Sequence, residues 1–139
     1  MKNIFIFITC ISLIYSCKPI GSSESTATEE IPGTEYKNLD LRQFMVAYLS
    51  EKMDSAMILD LRTPPEFDEG YIKGAILINY LEKDIDHQLS LLDKSRKYYI
   101  YCEQGNRSSK CMEKMKGLGF TRVYNLIGGY QAYKKATFK

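Results

Sequence analysis

Histidine is nearly missing from this chain. One residue, His87, serves all 139 positions, and it lies near no cysteine. A zinc site of cysteine and histidine therefore lacks ligands. A Cys–His catalytic pair has nothing in the sequence to support it. A metal site is therefore not expected, and His87 reads as a surface residue on a polar helix. Strong charge of either sign is lacking too. The 19 Lys and Arg against 17 Asp and Glu leave a formal charge of +2. No Lys/Arg cluster and no alternation of aromatic and basic residues occurs, which argues against a nucleic-acid partner. Nor is there an apolar run of comfortable membrane-spanning length. The longest, Ile4 through Tyr15, has the length of a signal-peptide core.

That run follows a minimal positive region at Lys2 and ends in Leu13-Ile14-Tyr15-Ser16-Cys17. A small residue before a cysteine resembles a bacterial lipoprotein cleavage site, although Tyr15 is bulky for one. The expectation is a signal peptide over 1–16, with Cys17 lipidated at the new N-terminus. The protein is then exported and lipid-anchored to a bacterial membrane, on its periplasmic or surface side. Each buried methylene contributes about 0.8 kcal/mol, so several acyl chains hold a protein there durably. An ordinary secretory signal, or a short anchor with Cys17 incidental, is the alternative. Residues 17–35 are small and polar without apolar period, as in Gly21-Ser22-Ser23-Glu24-Ser25, and read as a flexible linker. Of the four cysteines, Cys10 leaves with the signal. Only Cys102 and Cys111 remain for a single folded domain over 36–139.

Within that domain, strand-like and helix-like segments alternate. Leu41, Phe44, Met45, Tyr48 and Leu49 recur at helical spacing, with Asp40 and Gln43 forming a capping box. Ala56–Leu61 is a short apolar run of strand length. Thr63-Pro64-Pro65-Glu66 starts a second helix, with a capping box and proline at the first helical position. Gly70 stops it. A strand over Ala75–Ile78, a weaker helix over Leu81–Leu92 and a strand over Lys97–Cys102 follow. Next come a helix over Arg107–Leu118, a strand over Val123–Leu126 and, after Gly128-Gly129, a short helix through Tyr133. Such alternation implies a parallel sheet covered on both faces, with ligands bound at the carboxyl ends of its strands.

Cys102 lies at such an end. Cys102-Glu103-Gln104-Gly105-Asn106-Arg107-Ser108 runs from strand to helix, and a loop of this kind can aim successive N–H groups inward as a nest. Gly105 permits a positive φ. The helix N-terminus adds about half a positive charge, and Arg107 is a permanent cation. All of these favour a thiolate, the reactive form of cysteine. Glu103 opposes them, making the loop less welcoming to dianions. Arg62, after the strand holding Asp60, is a candidate for the same pocket, whereas Asp60 reads as structural. Ser108, Cys111, Met112, Met115 and Leu118 share one helical face, so Cys111 reads as core rather than as a resolving thiol. The tyrosines Tyr98, Tyr99 and Tyr101 read as sheet packing.

Three segments together resemble the single-domain rhodaneses, a sulfurtransferase family. They are Ile58-Leu59-Asp60-Leu61-Arg62-Thr63-Pro64-Pro65-Glu66-Phe67 with Gly70-Tyr71-Ile72-Lys73-Gly74-Ala75, then Tyr101-Cys102-Glu103-Gln104-Gly105-Asn106-Arg107-Ser108, then Leu118-Gly119-Phe120 with Val123-Tyr124-Asn125-Leu126-Ile127-Gly128-Gly129-Tyr130. The resemblance covers about Leu39 to Tyr133. It implies an α/β fold, a parallel five-stranded sheet flanked by helices on both faces. It also implies that the Cys102 thiolate takes a sulfane sulfur from a small donor, holds it as a persulfide and passes it to a thiophilic acceptor such as a thiol or cyanide. The loop N–H groups from Glu103 through Ser108 stabilise the persulfide, without cofactor. Tyr71, Tyr133 and Glu103 depart from the family pattern, where histidine, tryptophan and a basic or small residue are common.

Two other readings stay open. A non-catalytic or thiol-redox module, partnered by a thiol-redox protein, keeps the same fold and thiol. A cysteine phosphatase needs five residues between Cys and Arg, whereas four separate Cys102 from Arg107. The shorter loop suits a sulfur better than a phosphate.

Overall fold

The computed structural model describes residues 33–52 and 54–137. The expected signal peptide, Cys17 and the linker up to residue 32 lie outside the described residues. Ten elements alternate along the described residues: β1 (Glu35–Leu39), α1 (Leu41–Ser50), β2 (Ala56–Asp60), α2 (Pro64–Asp68), β3 (Ala75–Leu77), α3 (Ile85–Ser90), β4 (Lys97–Tyr101), α4 (Asn106–Gly117), β5 (Arg122–Leu126) and α5 (Gly129–Thr137). The strands form one five-stranded sheet in the order β1-β5-β4-β2-β3, and every pairing is parallel. The expected fold class is the observed one.

Strand periodicity puts alternate side chains on opposite faces, and β4 shows it residue by residue. Tyr98, Ile100 and the following Cys102 pack with Ile85 and Leu89 of α3 and with Cys111, Met112 and Met115 of α4. Tyr99 and Tyr101 face the other way, onto Phe44 of α1 and Tyr130 of α5. A central strand buried on both faces is continuously apolar for this reason. Its tyrosines still satisfy their hydroxyls. Tyr98 donates to the Asp93 carbonyl at 2.8 Å, Tyr99 donates to Glu51 at 3.0 Å, and Tyr101 accepts from the Ile72 N–H at 3.1 Å.

Three local readings differ from the structure. β1 has no apolar run to announce it. It is an edge strand that depends on register with β5, from Glu35 opposite Arg122 to Leu39 opposite Leu126, and it begins at the residue where the linker was expected to end. α3 is shorter than the expected helix over 81–92, because Asn79 turns the chain first. The Asn79 side chain accepts from the Leu81 N–H at 3.1 Å and donates to Glu82 at 2.9 Å, an alternative to helical bonding. α5 continues past Tyr133 to Thr137, with Tyr130 and Tyr133 stacked on the core.

Candidate active site

Cys102 follows the last residue of β4, and α4 opens four residues later. Gly105 is the α4 N-cap with φ of 95°, a left-handed conformation that a side chain resists. This bend turns the loop back over the sulfur. The Gly105 N–H donates to Cys102 Sγ at 3.1 Å, and the Ser108 hydroxyl lies 3.5 Å from it. Ser108 has a single hydroxyl proton and a second acceptor, the Gly105 carbonyl at 3.1 Å. Ionising the thiol makes sulfur the stronger acceptor.

Two opposed influences set the thiol's acidity. Cys102 is 1% exposed, and burial, the larger single influence, pushes its pKa up. The Ser108 hydroxyl and the backbone N–H groups of Ser108, Gln104 and Gly105 push it down, and together they prevail: the thiol is more acidic than an ordinary cysteine. Cys111 shows burial without such donors. It is fully buried in the core, and its thiol is pushed up to about 12. Both cysteines are free.

The loop's N–H groups face the sulfur because its carbonyls are engaged elsewhere. The carbonyl of Cys102 accepts from the Tyr130 N–H at 2.8 Å, and that of Glu103 from the Gln131 N–H at 3.1 Å. These are first-turn N–H groups of α5, which have no partner within the helix. The contact needs a glycine. Gly129 has φ of 58°, and a Cβ there would stand 2.2 Å from the Cys102 carbonyl oxygen.

Both arginines near the loop are paired. Arg107 grips Glu66 of α2 with two bonds, at 2.9 and 2.6 Å. Glu66 also accepts from the Thr63 N–H and hydroxyl at 2.8 and 2.7 Å. One carboxylate thus caps α2 and fixes the loop guanidinium. The hydrogen bond from Arg107, then those from Thr63, hold the Glu66 pKa at about 2 against the opposing effect of burial. Glu66 in turn, and more weakly the Cys102 sulfur, hold Arg107 protonated.

Arg62 differs from its expected place among the anion-stabilising groups. It is 1% exposed and bonds Asp60 through both Nε and Nη2, the Gly70 carbonyl at 2.6 Å and Glu103 at 3.3 Å. Its guanidinium lies 3.9 Å from the centre of the Tyr130 ring. Burying a guanidinium is tolerable only with such partners. They turn Arg62 into a brace behind the loop, and no hydrogen bond from it to Sγ occurs among the described residues. Glu103, whose role the sequence left open, points its carboxylate to Arg62 and to the Gln131 side chain. Gln104 and Asn106 have exposed side chains, and Gln104 acts on the sulfur through its backbone.

Sequence reasoning missed Glu66, Tyr130 and Gln131 as supports of the loop. Glu66 carried a signal, since a capping glutamate ahead of a strand-end site has one carboxylate oxygen to spare. Gln131 carried none.

A parallel α/β sheet that presents a nest-held, acidified thiol at the end of a central strand defines a protein built for chemistry on sulfur. Residues 45–136 match the rhodanese-like domain family, and the chain belongs to that family. It is 32% identical over 87 residues to thiosulfate sulfurtransferase 16 of Arabidopsis thaliana, covering 55% of this chain and 72% of the relative. It is 29% identical over 103 residues to the thiosulfate sulfurtransferase GlpE of Shewanella oneidensis, covering 74% and 97%. Among solved structures, a rhodanese-like domain protein from Staphylococcus aureus superposes with a TM-score of 0.61 at 32% identity, covering 70% of this chain and 90% of that one.

Proposed function

We propose that this protein is a sulfurtransferase that moves a sulfane sulfur through a persulfide on Cys102. The observation that carries the reading is the acidified sulfur itself, held by the Gly105 N–H and faced by the Ser108 hydroxyl in a loop of four intervening residues. The Cys102 thiolate attacks the outer sulfur of a donor. The Sγ–S bond forms as the donor's own sulfur–sulfur bond breaks, and the donor leaves with that electron pair. An acceptor thiolate or cyanide then attacks the outer sulfur and Cys102 departs as thiolate. These are two half-reactions of ping-pong type. The donors that lower the thiol's pKa also stabilise the persulfide anion, and they lower the cost of Cys102 leaving. The named thiosulfate sulfurtransferases among the relatives support this reading.

The test is intact-mass analysis after exposure to a panel of sulfane donors. Wild-type protein gains one sulfur on Cys102 and loses it to added thiol, and Cys102→Ser gains none. Failure of every donor to load free Cys102 refutes the reading in favour of a binding or thiol-redox module. We further propose that Cys17 is lipidated and the domain tethered outside the cytoplasm. Full-length protein expressed in bacteria then partitions with membranes and releases into solution on Cys17→Ser; equal partitioning of the two overturns this.

A further inference from the structure

The charges around the loop do not balance. Two guanidiniums meet three carboxylates. Arg62 serves Asp60 and Glu103 together, and Arg107 serves Glu66. No other Lys or Arg among the described residues makes an ion pair with these carboxylates. The cluster therefore carries one net negative charge before Cys102 ionises. Both guanidiniums are already engaged by carboxylates. Arg107 spends both terminal nitrogens on Glu66, and Arg62 is buried against Asp60, Gly70 and Tyr130. An incoming oxyanion is best recognised by a guanidinium that offers two parallel N–H bonds. The Nη1/Nη2 edge of Arg107 is already on Glu66, and the carboxylate in excess is Glu103, on the residue next to the sulfur and bonded to Arg62 at 3.3 Å. That carboxylate is bonded to Gln131 as well as to Arg62.

We propose that the Cys102 site takes sulfur from thiol persulfides, R–S–SH, in preference to the thiosulfate dianion, and that Glu103 determines this specificity. The proposal rests on the sulfurtransferase reading above and names its donor class. In the favoured reaction Cys102–S⁻ attacks the outer sulfur of R–S–SH. The Sγ–S bond forms, the R–S bond to that sulfur breaks, and R–S⁻ leaves with the electron pair, giving Cys102–S–SH. No oxidant or reductant enters. With thiosulfate the same attack expels sulfite, so the dianion must be brought against that net negative charge. A persulfide brings no sulfonate and at most one negative charge on its sulfur chain.

The experiment compares initial rates of Cys102 loading by thiosulfate and by N-acetylcysteamine persulfide, a donor with no charge outside its sulfur chain, read by intact mass. Wild-type protein loads faster with the persulfide. Glu103→Gln keeps the size of the side chain and removes its charge, and it raises the thiosulfate-to-persulfide rate ratio about tenfold, the scale of one nearby unit charge. Added salt accelerates thiosulfate loading of the wild type more than persulfide loading, and Glu103→Gln reduces that difference. The salt response of the wild type needs no variant to fold. Equal rates for the two donors on wild type overturn the proposal, as does a salt response no larger for thiosulfate. So does an unchanged ratio in a folded Glu103→Gln protein. In each of these cases the sulfurtransferase reading survives. Loading by neither donor overturns the proposal as well, and where every other sulfane donor also fails the sulfurtransferase reading falls with it.

Discussion

Burial and hydrogen bonding act on Cys102 in opposite directions, and the balance falls toward thiolate. Alkylation by iodoacetamide, followed against pH, is expected to show a midpoint below the ordinary thiol value of 9.0. Ser108→Ala removes a donor to the sulfur and moves that midpoint up. Cys111, buried and pushed up to about 12, stays unmodified in the folded protein at neutral pH. Glu66 answers to a different test. Glu66→Gln weakens the α2 cap and the Arg107 fork at once. A loss of about 1–2 kcal/mol in urea unfolding is expected, together with slower loading of Cys102 as Arg107 loses its anchor. A variant with wild-type stability and loading would show that neither contact matters.

At the scale of elements, the site is a junction of β4, α4 and α5. The strand delivers the sulfur and α4 supplies donors from its first turn. The N-terminus of α5 consumes the loop's carbonyls, so that the remaining N–H groups turn inward. Gly128-Gly129 reads from sequence as a turn, and the structure makes Gly129 a close-packed part of the site. Gly129→Ala is expected to cost at least about 1–3 kcal/mol, from its positive φ and from a Cβ driven against the Cys102 carbonyl. Relief of the clash displaces the loop, so the Cys102 alkylation midpoint rises toward that of a free thiol. Thermal unfolding and the same pH series on this variant measure both effects.

Across the whole molecule, the carboxylates set the acid limit of stability. Glu66 is held at about 2 and Glu35, bonded first to Lys37 and then to Tyr124, is also lowered, each from an ordinary value of 4.5. A carboxylate whose folded pKa is depressed stabilises the fold fully above its unfolded value. That contribution is lost as pH falls toward the folded value. Urea midpoints are therefore expected to hold from neutral pH to about 5 and to fall steadily between about 5 and 2. In Glu66→Gln that fall becomes shallower. An unchanged acid slope in the variant would mean that the pair with Arg107 contributes nothing to the fold.

Much of this was legible because its causes are local. The capping boxes at Asp40 and Thr63 are satisfied by near neighbours in the chain, and the apolar runs of β2 and β4 and the glycines around α4 are local patterns of residue type. The alternation of these elements implied the parallel sheet, and a cysteine at a strand end beside Gly105 and Arg107 implied an acidic thiol. What tertiary structure alone decided are contacts across long stretches of chain. β1 exists only through its register with β5. Glu66 meets Arg107 from 41 residues away, and Arg62 meets Glu103 across the same separation. The charge beside the sulfur depends on those pairings, because an arginine in a sequence carries the same charge whether its fork is free or filled. The residue types around Cys102 specified a reactive sulfur, and the fold decided which of its neighbouring charges remain to meet a donor.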